Sequence, residues 1–554
     1  MKRRLAILAG LSFVLSAGHL SSSPNASAHS APIATPTPTA RPRIVTTPAK
    51  TTATPTPPVP MPTLSPIATP PPQPVQTLEE LQSRIRQRLF APEVRRGRVG
   101  IKITSLNSGK VVFENDSDKY FMPASNMKNF TVATAFEKLG PDFKFVTSVF
   151  APQLPDESGT VRGDLRVYGR GDVSISTAFF GTLPTDPETY YKGIDRLSDK
   201  IAAAGVKRIE GSLVGDESYF KGFALPGTWE WDDLQWYYGA EISALPINDN
   251  AVDLTVSPSA SGGPCLVNIL PTNTLFQIIN TCTTAPASSK RSLTVNKRID
   301  RNVLEISGTM PAGEAVYKSS IAVTRPADLF IALLKQRLEK RGIVVTGGSR
   351  TLAPGVVIAD PGQIEIASLE SPPFREIAAK TMKPSQNMFT ETILWTLGEQ
   401  IGRTSGASGE SSQLGLNVVK SFLTSIGIPP DGILQYDGSG LSRHDLITPS
   451  AVVALYTYMA KQSRNAQAWR DSLTIGGVDG TLASRFKGTA AANNMRGKTG
   501  TIDQVSALSG YVTTAGGEPL VVSFVVNGVA ETKQRTSLMD DVVVSLANFN
   551  GRID

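Results

Sequence analysis

The sequence predicts an α+β fold, an antiparallel sheet flanked by helices, with β-rich material carried between its two halves. Three observations point there. A hairpin pattern begins near Val99, a run of three antiparallel strands begins near Arg496, and apolar helical stretches follow the first and precede the second. Between these ends, Gly, Pro and Asn turns break the chain into many short β-like runs. With 554 residues, 40% of them apolar and 19% charged, the chain has material for a large core and more than one domain.

The first 28 residues read as an export leader. Lys2-Arg3-Arg4 precede an apolar run from Leu5 to about Ala17, and Ala26-Ser27-Ala28 supplies small residues for cleavage. No cysteine follows the apolar run, which argues against a lipoprotein anchor; cleavage and retention as an uncleaved anchor are both left open. Residues 29–76 are dominated by Pro and Thr without one acidic side chain, the composition of an extended spacer that cannot build a core. Folding is expected to begin near Thr77.

From Val99 the chain reads as a β-hairpin turning at Asn107-Ser108-Gly109-Lys110. Phe121-Met122-Pro123-Ala124-Ser125-Asn126-Met127-Lys128 then runs into an apolar stretch stopped by Gly140-Pro141, which predicts a buried helix of about 16 residues. Ser125 and Lys128 stand at i and i+3 on its first turn, on one face. A serine hydroxyl needs a base to become a nucleophile, and a lysine can be that base. A first-turn serine also sets its own N–H at the positive end of the helix, where an oxyanion is stabilised.

Further on, Lys383-Pro384 interrupts two helical stretches, so Ser385-Gln386-Asn387 should project from the joint between them. The last of the three features is Lys498-Thr499-Gly500-Thr501, expected on the first of three antiparallel strands closed by a helix over about 532–548. There Lys498 and Thr499 can grip a carboxylate, and Gly500 is expected to leave room for a peptide along the strand edge.

In this order, Ser125-x-x-Lys128, Ser385-x-Asn387 and Lys498-Thr499-Gly500 resemble the active site of serine penicillin-recognising enzymes. The surrounding sequence resembles one branch, the low-molecular-mass class C penicillin-binding proteins, which are D-alanyl-D-alanine carboxypeptidase/endopeptidases. The likeness is carried by PASNMK, KPSQNMFTE, YDGSGLSRHDLITP, DGTLASRF and KTGTIDQVSALSGY. The resemblance implies a transpeptidase fold of the penicillin-binding-protein/β-lactamase type, with a catalytic domain over 77–142 and 363–554 and β-rich inserted domains over 143–362. The separation of 257 positions from Lys128 to Ser385 gives the insertion the size of one or two domains.

The resemblance further implies Ser125 as nucleophile and Lys128 as base, with Ser385, Asn387 and Lys498 also catalytic. It places Thr499, Gly500, Thr501, Asp233 and Tyr238 against the substrate, Asp233 being the acidic rim residue that can meet an amino group on the peptide stem. Expected partners are peptidoglycan stem peptides and β-lactam inhibitors, with no cofactor. A β-lactamase-like hydrolase and a non-catalytic wall-binding protein are the alternatives. Cys265 and Cys282 flank two β-like runs, and an exported location permits a disulfide pinning a hairpin between them. With only those two cysteines and three histidines, His19, His29 and His444, a multi-ligand zinc site is not expected. His444 is also the one histidine available to a Ser-His-Asp triad in the catalytic part, and no G-x-S-x-G surrounds Ser125.

The formal net charge of +7 first suggests a polyanionic partner. Six of those charges lie in residues 1–76, which contain no acid, while the remainder carries 49 basic against 48 acidic side chains. The total therefore gives no support to nucleic-acid binding. An exported protein of the periplasm or cell envelope is expected; peripheral or tethered membrane association and the oligomeric state are left open.

Overall fold

The computed structural model describes residues 76–181, 186–352, 356 and 363–553. The leader over 1–28 and the Pro/Thr segment up to residue 75 thus lie outside the described residues. Regular structure starts at a capping box: the Thr77 side chain accepts from Glu80 N, and the Glu80 carboxylate accepts from Thr77 N. It opens the helix Leu78–Leu89, which buries Leu81, Ile85 and Leu89.

The two ends of the folded chain share one antiparallel sheet of six strands. Its order is Val111–Asn115, Arg98–Ser105, Pro519–Asn527, Val505–Thr513, Arg496–Ile502 and Thr474–Ile475. Ile101 opposes Phe524 and Ile103 opposes Val522, so the early hairpin docks in register on the last strand. Because period-two alternation sends neighbours to opposite faces, a strand buried on both sides must be largely apolar, as PLVVSFVVN is apart from Ser523 and the terminal Asn527. On one face Val522, Phe524 and Val526 pack with Leu538, Val542 and Leu546 of the terminal helix Thr532–Asn548. On the other, Val521 and Val525 join the core formed by Phe130, Ile393, Leu394 and Tyr456.

The expected single helix at the nucleophile is two elements. Ala124–Met127 is a 3₁₀ turn, and the α-helix runs Lys128–Lys138. Ala124, the first residue of that turn, stands at φ +46°, which is incompatible with a regular helix, so the α-helix starts only beyond it. Residues from Lys128 to Phe136 are all buried, which is why the stretch reads as apolar around most of its circumference.

The insertion is β-rich, as expected, and three particulars refine the expectation. First, its larger sheet is mixed. Strands Leu165–Tyr168, Leu213–Asp216 and Ser349–Leu352 run parallel, and Val146–Ala151 lies antiparallel beside them. Parallel neighbours need crossovers, which include the helices Lys192–Ala203 and Pro326–Lys340, whereas the part over 251–322 is built of strands joined by turns. Second, Ile364–Glu370 pairs with Val146–Ala151, which moves the return crossing from residue 362 to about Ser371. There Ser371 N donates to Phe145 O at 2.9 Å and Phe374 N to Phe143 O at 2.8 Å, so the outgoing and returning chains are laced together. Third, Cys265 and Cys282 are bonded, but they pin no hairpin. Leu266–Leu270 pairs with Ala251–Ser257, whereas Gln277–Asn280 runs parallel to Val303–Ser307. The insertion buries its own apolar core around Leu213, Leu254, Phe330 and Leu334.

Candidate active site

The turn carrying Ser125 is fixed from several sides. Phe121 exchanges two backbone hydrogen bonds with Ile447, and the Asn527 side chain bonds both Met122 N and Met122 O. A Cβ at Gly440 would lie 1.9 Å from Ala124 O, and one at Gly500 would lie 2.5 Å from Pro123 O. The sequence expectation for Gly500 thus needs correction. Its missing side chain lets the strand approach the serine turn, rather than making room for a peptide.

Ser125 is half-buried, and its Oγ lies 3.1 Å from Lys128 Nζ. Lys128 has no exposed surface; its Nζ also donates to Asn387 Oδ1 at 2.6 Å and to Ser439 O at 2.7 Å. Asn387 opens the helix Asn387–Leu397, one residue beyond the joint Lys383–Gln386, where Ser385 stands at φ +67°. The Asn387 amide also donates from Nδ2 to Tyr238 O of the insertion at 2.8 Å. Ser385 Oγ accepts from Lys498 Nζ at 2.7 Å, and Lys498 too is fully buried.

Lys498 to Thr501 lie on Arg496–Ile502, paired on one side with Val505–Thr513. On the other side Gly476 N donates to Met495 O and Gly497 opposes Thr474. Alternation turns the backbone N–H groups of Thr499 and Thr501 to this same edge, where no further strand pairs among the described residues. Ser125, the Lys498 cation and an open strand edge therefore converge. Thr499 Oγ1 contacts Thr481 Oγ1 at 2.6 Å, adding a hydroxyl that sequence reasoning had not singled out.

Behind Lys128 the residues 437–442 form a loop built on carboxyl groups. Asp437 accepts from Gly440 N at 2.6 Å, Ser442 N at 2.8 Å and the Trp229 indole at 2.8 Å. Glu391 accepts from Gly438 N with both oxygens. Burial, reinforced by the nearby Asp437, pushes the Glu391 carboxyl up to about 8, and burial raises Asp445 well above the carboxylate range. This loop presents the Ser439 carbonyl to Lys128. Sequence reading had placed these residues inside likeness-bearing stretches without giving them a task; the cue was an acid followed by a Gly-Ser-Gly turn.

Asp233 and Tyr238, expected at the rim, lie near one another and each is partly buried. Burial, followed by Asp232 and Glu230, raises the Asp233 carboxyl to about 6. Arg443 donates to Glu230 at 2.9 Å and to Asp503 O at 3.3 Å, tying this segment to the turn after Arg496–Ile502. The aromatic cluster of this segment is divided: Trp229 is buried, whereas Trp231 is exposed. His444 is exposed on the loop and lies against Tyr436.

The fold and this convergence define a serine hydrolase of the penicillin-recognising class, with lysine where other hydrolases place histidine. Residues 81–549 match the family described as D-Ala-D-Ala carboxypeptidase 3 (S13). The chain is 32% identical to a D-alanyl-D-alanine carboxypeptidase of Actinomadura sp. (strain R39), covering 86% of each chain. It is 24% identical to the D-alanyl-D-alanine carboxypeptidase DacB of Haemophilus influenzae, covering 78% of this chain and 85% of the relative. The crystal structure of penicillin binding protein 4 (dacB) from Haemophilus influenzae shares the fold, with a TM-score of 0.71 at 24% identity, over 85% of this chain and 99% of that one. The chain belongs to the D-Ala-D-Ala carboxypeptidase 3 (S13) family, as a low-molecular-mass class C penicillin-binding protein. It is a serine-type D-Ala-D-Ala carboxypeptidase, a hydrolase acting on peptidoglycan.

Proposed function

We propose that Ser125 attacks the penultimate D-Ala carbonyl of a peptidoglycan stem peptide, with Lys128 taking the hydroxyl proton. The observation that carries this reading is the Lys128 Nζ environment. Two of its partners, Asn387 Oδ1 and Ser439 O, can only accept hydrogen bonds, while the hydroxyl of Ser125 can also donate. A neutral Lys128 donating to those two turns its lone pair to the Ser125 proton.

As the Oγ–C bond forms, the N–H groups of Ser125 and Thr501 receive the developing oxyanion. The C–N bond then breaks, and the proton taken up by Lys128 passes by way of Ser385 and Lys498 to the departing D-Ala amine, leaving Lys128 neutral again. Lys498 and Thr499 bind the terminal carboxylate, and Asn387 orients both Lys128 and the substrate amide. Water hydrolyses the Ser125 ester: Lys128 takes a proton from the water and returns it to Ser125 Oγ as the ester bond breaks. A β-lactam imitates the dipeptide end and forms the same ester, a reading supported by a Haemophilus influenzae penicillin binding protein 4 structure complexed with a β-lactam. At the rim, Asp233 meets an amino group of the stem and Tyr238 packs beside it. The N-terminal leader directs export to the cell envelope.

The test is release of D-Ala from a soluble peptide ending in D-Ala-D-Ala. The wild type is expected to release it and Ser125→Ala to lose at least ~10³-fold in kcat/KM. Turnover that survives Ser125→Ala would sink the assignment of the nucleophile.

A further inference from the structure

The joint carrying Ser385 and Asn387 is held partly by the insertion. Gln386, between them, is nearly buried, and its Nε2 donates to Asp249 Oδ2 at 2.8 Å. The other oxygen of that carboxylate, Oδ1, accepts from Ser176 Oγ at 2.6 Å. Asp249 is therefore an acceptor on both oxygens, facing two donors from different parts of the chain.

The backbone presenting Asp249 is unusual. Asn248, Asp249 and Asn250 are consecutive non-glycine residues at φ +46°, +62° and +54°. Left-handed backbone is tolerated best by Asn and Asp, but three in succession persist only where the surroundings impose them. Here Asn250 Oδ1 accepts from Ile247 N at 3.0 Å, and Asn250 Nδ2 donates to Glu241 O at 2.7 Å. Asn248 Nδ2 donates to Tyr190 O at 2.9 Å, and Val323 N donates to Asn250 O at 2.9 Å. The strained turn is thus bolted into the core of the insertion, and its product is one carboxylate aimed at Gln386.

Gln386 shows what this contact decides. Its Oε1 is buried and finds no donor among the described residues. Turning the amide over would set Oε1 against the Asp249 carboxylate, so the contact fixes the amide orientation even at the expense of an unmet acceptor. The backbone of Gln386 separates Ser385 at φ +67°, bonded to Lys498, from Asn387, bonded to Lys128.

We propose that Asp249 is a positioning residue for the reaction: through Gln386 it holds the Ser385–Asn387 joint in register with Lys498 and Lys128, making the insertion a structural part of the active site. The proposal rests on the roles given above to Ser385 and Asn387. It requires the polarity of the contact, not merely its packing, and that can be reversed. Asp249→Asn is nearly isosteric but sets an N–H₂ either against the Gln386 N–H₂ or against the Ser176 hydroxyl, which must then turn from donor to acceptor. Gln386→Glu sets two carboxylates face to face. The pair Asp249→Asn with Gln386→Glu restores one donor and one acceptor and keeps an oxygen for Ser176.

The experiment measures the second-order rate of acylation by a fluorescent penicillin, alongside the thermal midpoint, for all four proteins. Each single variant is expected to acylate about 10- to 100-fold more slowly, and the double variant to recover at least ~5-fold over the slower single. Recovery is the readout that general loosening of the fold would not give. Singles within twofold of wild type, or a double variant as slow as the product of the single effects, would overturn the proposal. A wild type that takes up no penicillin would overturn the nucleophile assignment along with it, whereas a labelled wild type with unaffected singles would overturn this proposal alone.

Discussion

Two serine–lysine contacts share the cleft and are built in opposite ways. Ser125 and Lys128 are three residues apart on one turn, and their 3.1 Å contact follows from helical geometry once the turn is fixed. Ser385 and Lys498 are 113 residues apart, and their 2.7 Å contact joins a helix break to a sheet strand. The turn of the first pair is clamped largely by the catalytic body, through Ile447, Asn527 and Gly440. The second leans on the insertion, because Gln386 bonds Asp249 and Asn387 bonds the Tyr238 carbonyl. A local pair tolerates distant change, while an assembled pair transmits it.

The sharpest way to separate the pairs is to remove each lysine. Lys128→Ala is expected to slow penicillin acylation by at least ~10³-fold, because it deletes the base and frees Asn387 and Ser439 together. Lys498→Ala is expected to cost about 10²-fold, through lost carboxylate binding and a loosened Ser385. Stopped-flow or gel-based acylation rates decide the order, and equal losses would break the comparison.

Next comes the clamp on the local pair. Gly440 sits at φ +79° with the Ala124 carbonyl where a Cβ would be, so Gly440→Ala should destabilise the fold by about 3 kcal/mol and displace Ser125. Chemical denaturation with acylation rates on the surviving folded protein measures both.

A milder effect belongs to the carboxyl groups under Ser439. In the folded chain Glu391 keeps its proton up to about 8, whereas the unfolded side chain loses it near 4.5. The folded state thus binds the extra proton between those values, and stability declines as pH rises through that window. Glu217, raised to about 7, and Asp172, raised to about 6, add to the decline at lower pH for the same reason, burial. The thermal midpoint should fall by roughly 5 °C from pH 5 to 8.5, and Glu391→Gln should flatten the upper part of that slope. An unchanged slope above pH 7 in that variant would contradict the burial of a neutral carboxyl there.

The smallest expected effect is at the rim. Asp233→Ala should lower kcat/KM by about tenfold on stem peptides bearing a free amino group, while penicillin acylation stays within twofold. Loss on both substrates alike would move Asp233 from recognition into the support of Tyr238 and Asn387.

What was legible in the sequence follows the same division. Ser125 with Lys128 is legible from spacing, and the strands around Lys498 from short β-type runs divided by turns. The joint at Ser385 could be read from one proline. Asp437, Glu391, Ser439 and Asp249 were not assigned tasks, because each acts through a backbone group or side chain distant in sequence and no local pattern announces that partner. The β-rich character of the insertion is legible because its turns are conspicuous, whereas the helices Lys192–Ala203 and Pro326–Lys340, which join its parallel strands, stand out less against so many turns. The boundary at 362 slipped because Ile364–Glu370 finds its partner in Val146–Ala151, on the far side of the insertion.

The central claim is that Ser125 forms the acyl-enzyme. It is tested most directly by incubating the full chain with benzylpenicillin, digesting with trypsin and locating the added mass. The account predicts the adduct on the peptide from Tyr120 to Lys128, which contains Ser125 as its sole serine. An adduct on the peptide holding Ser385, or no adduct on a folded protein, would contradict it.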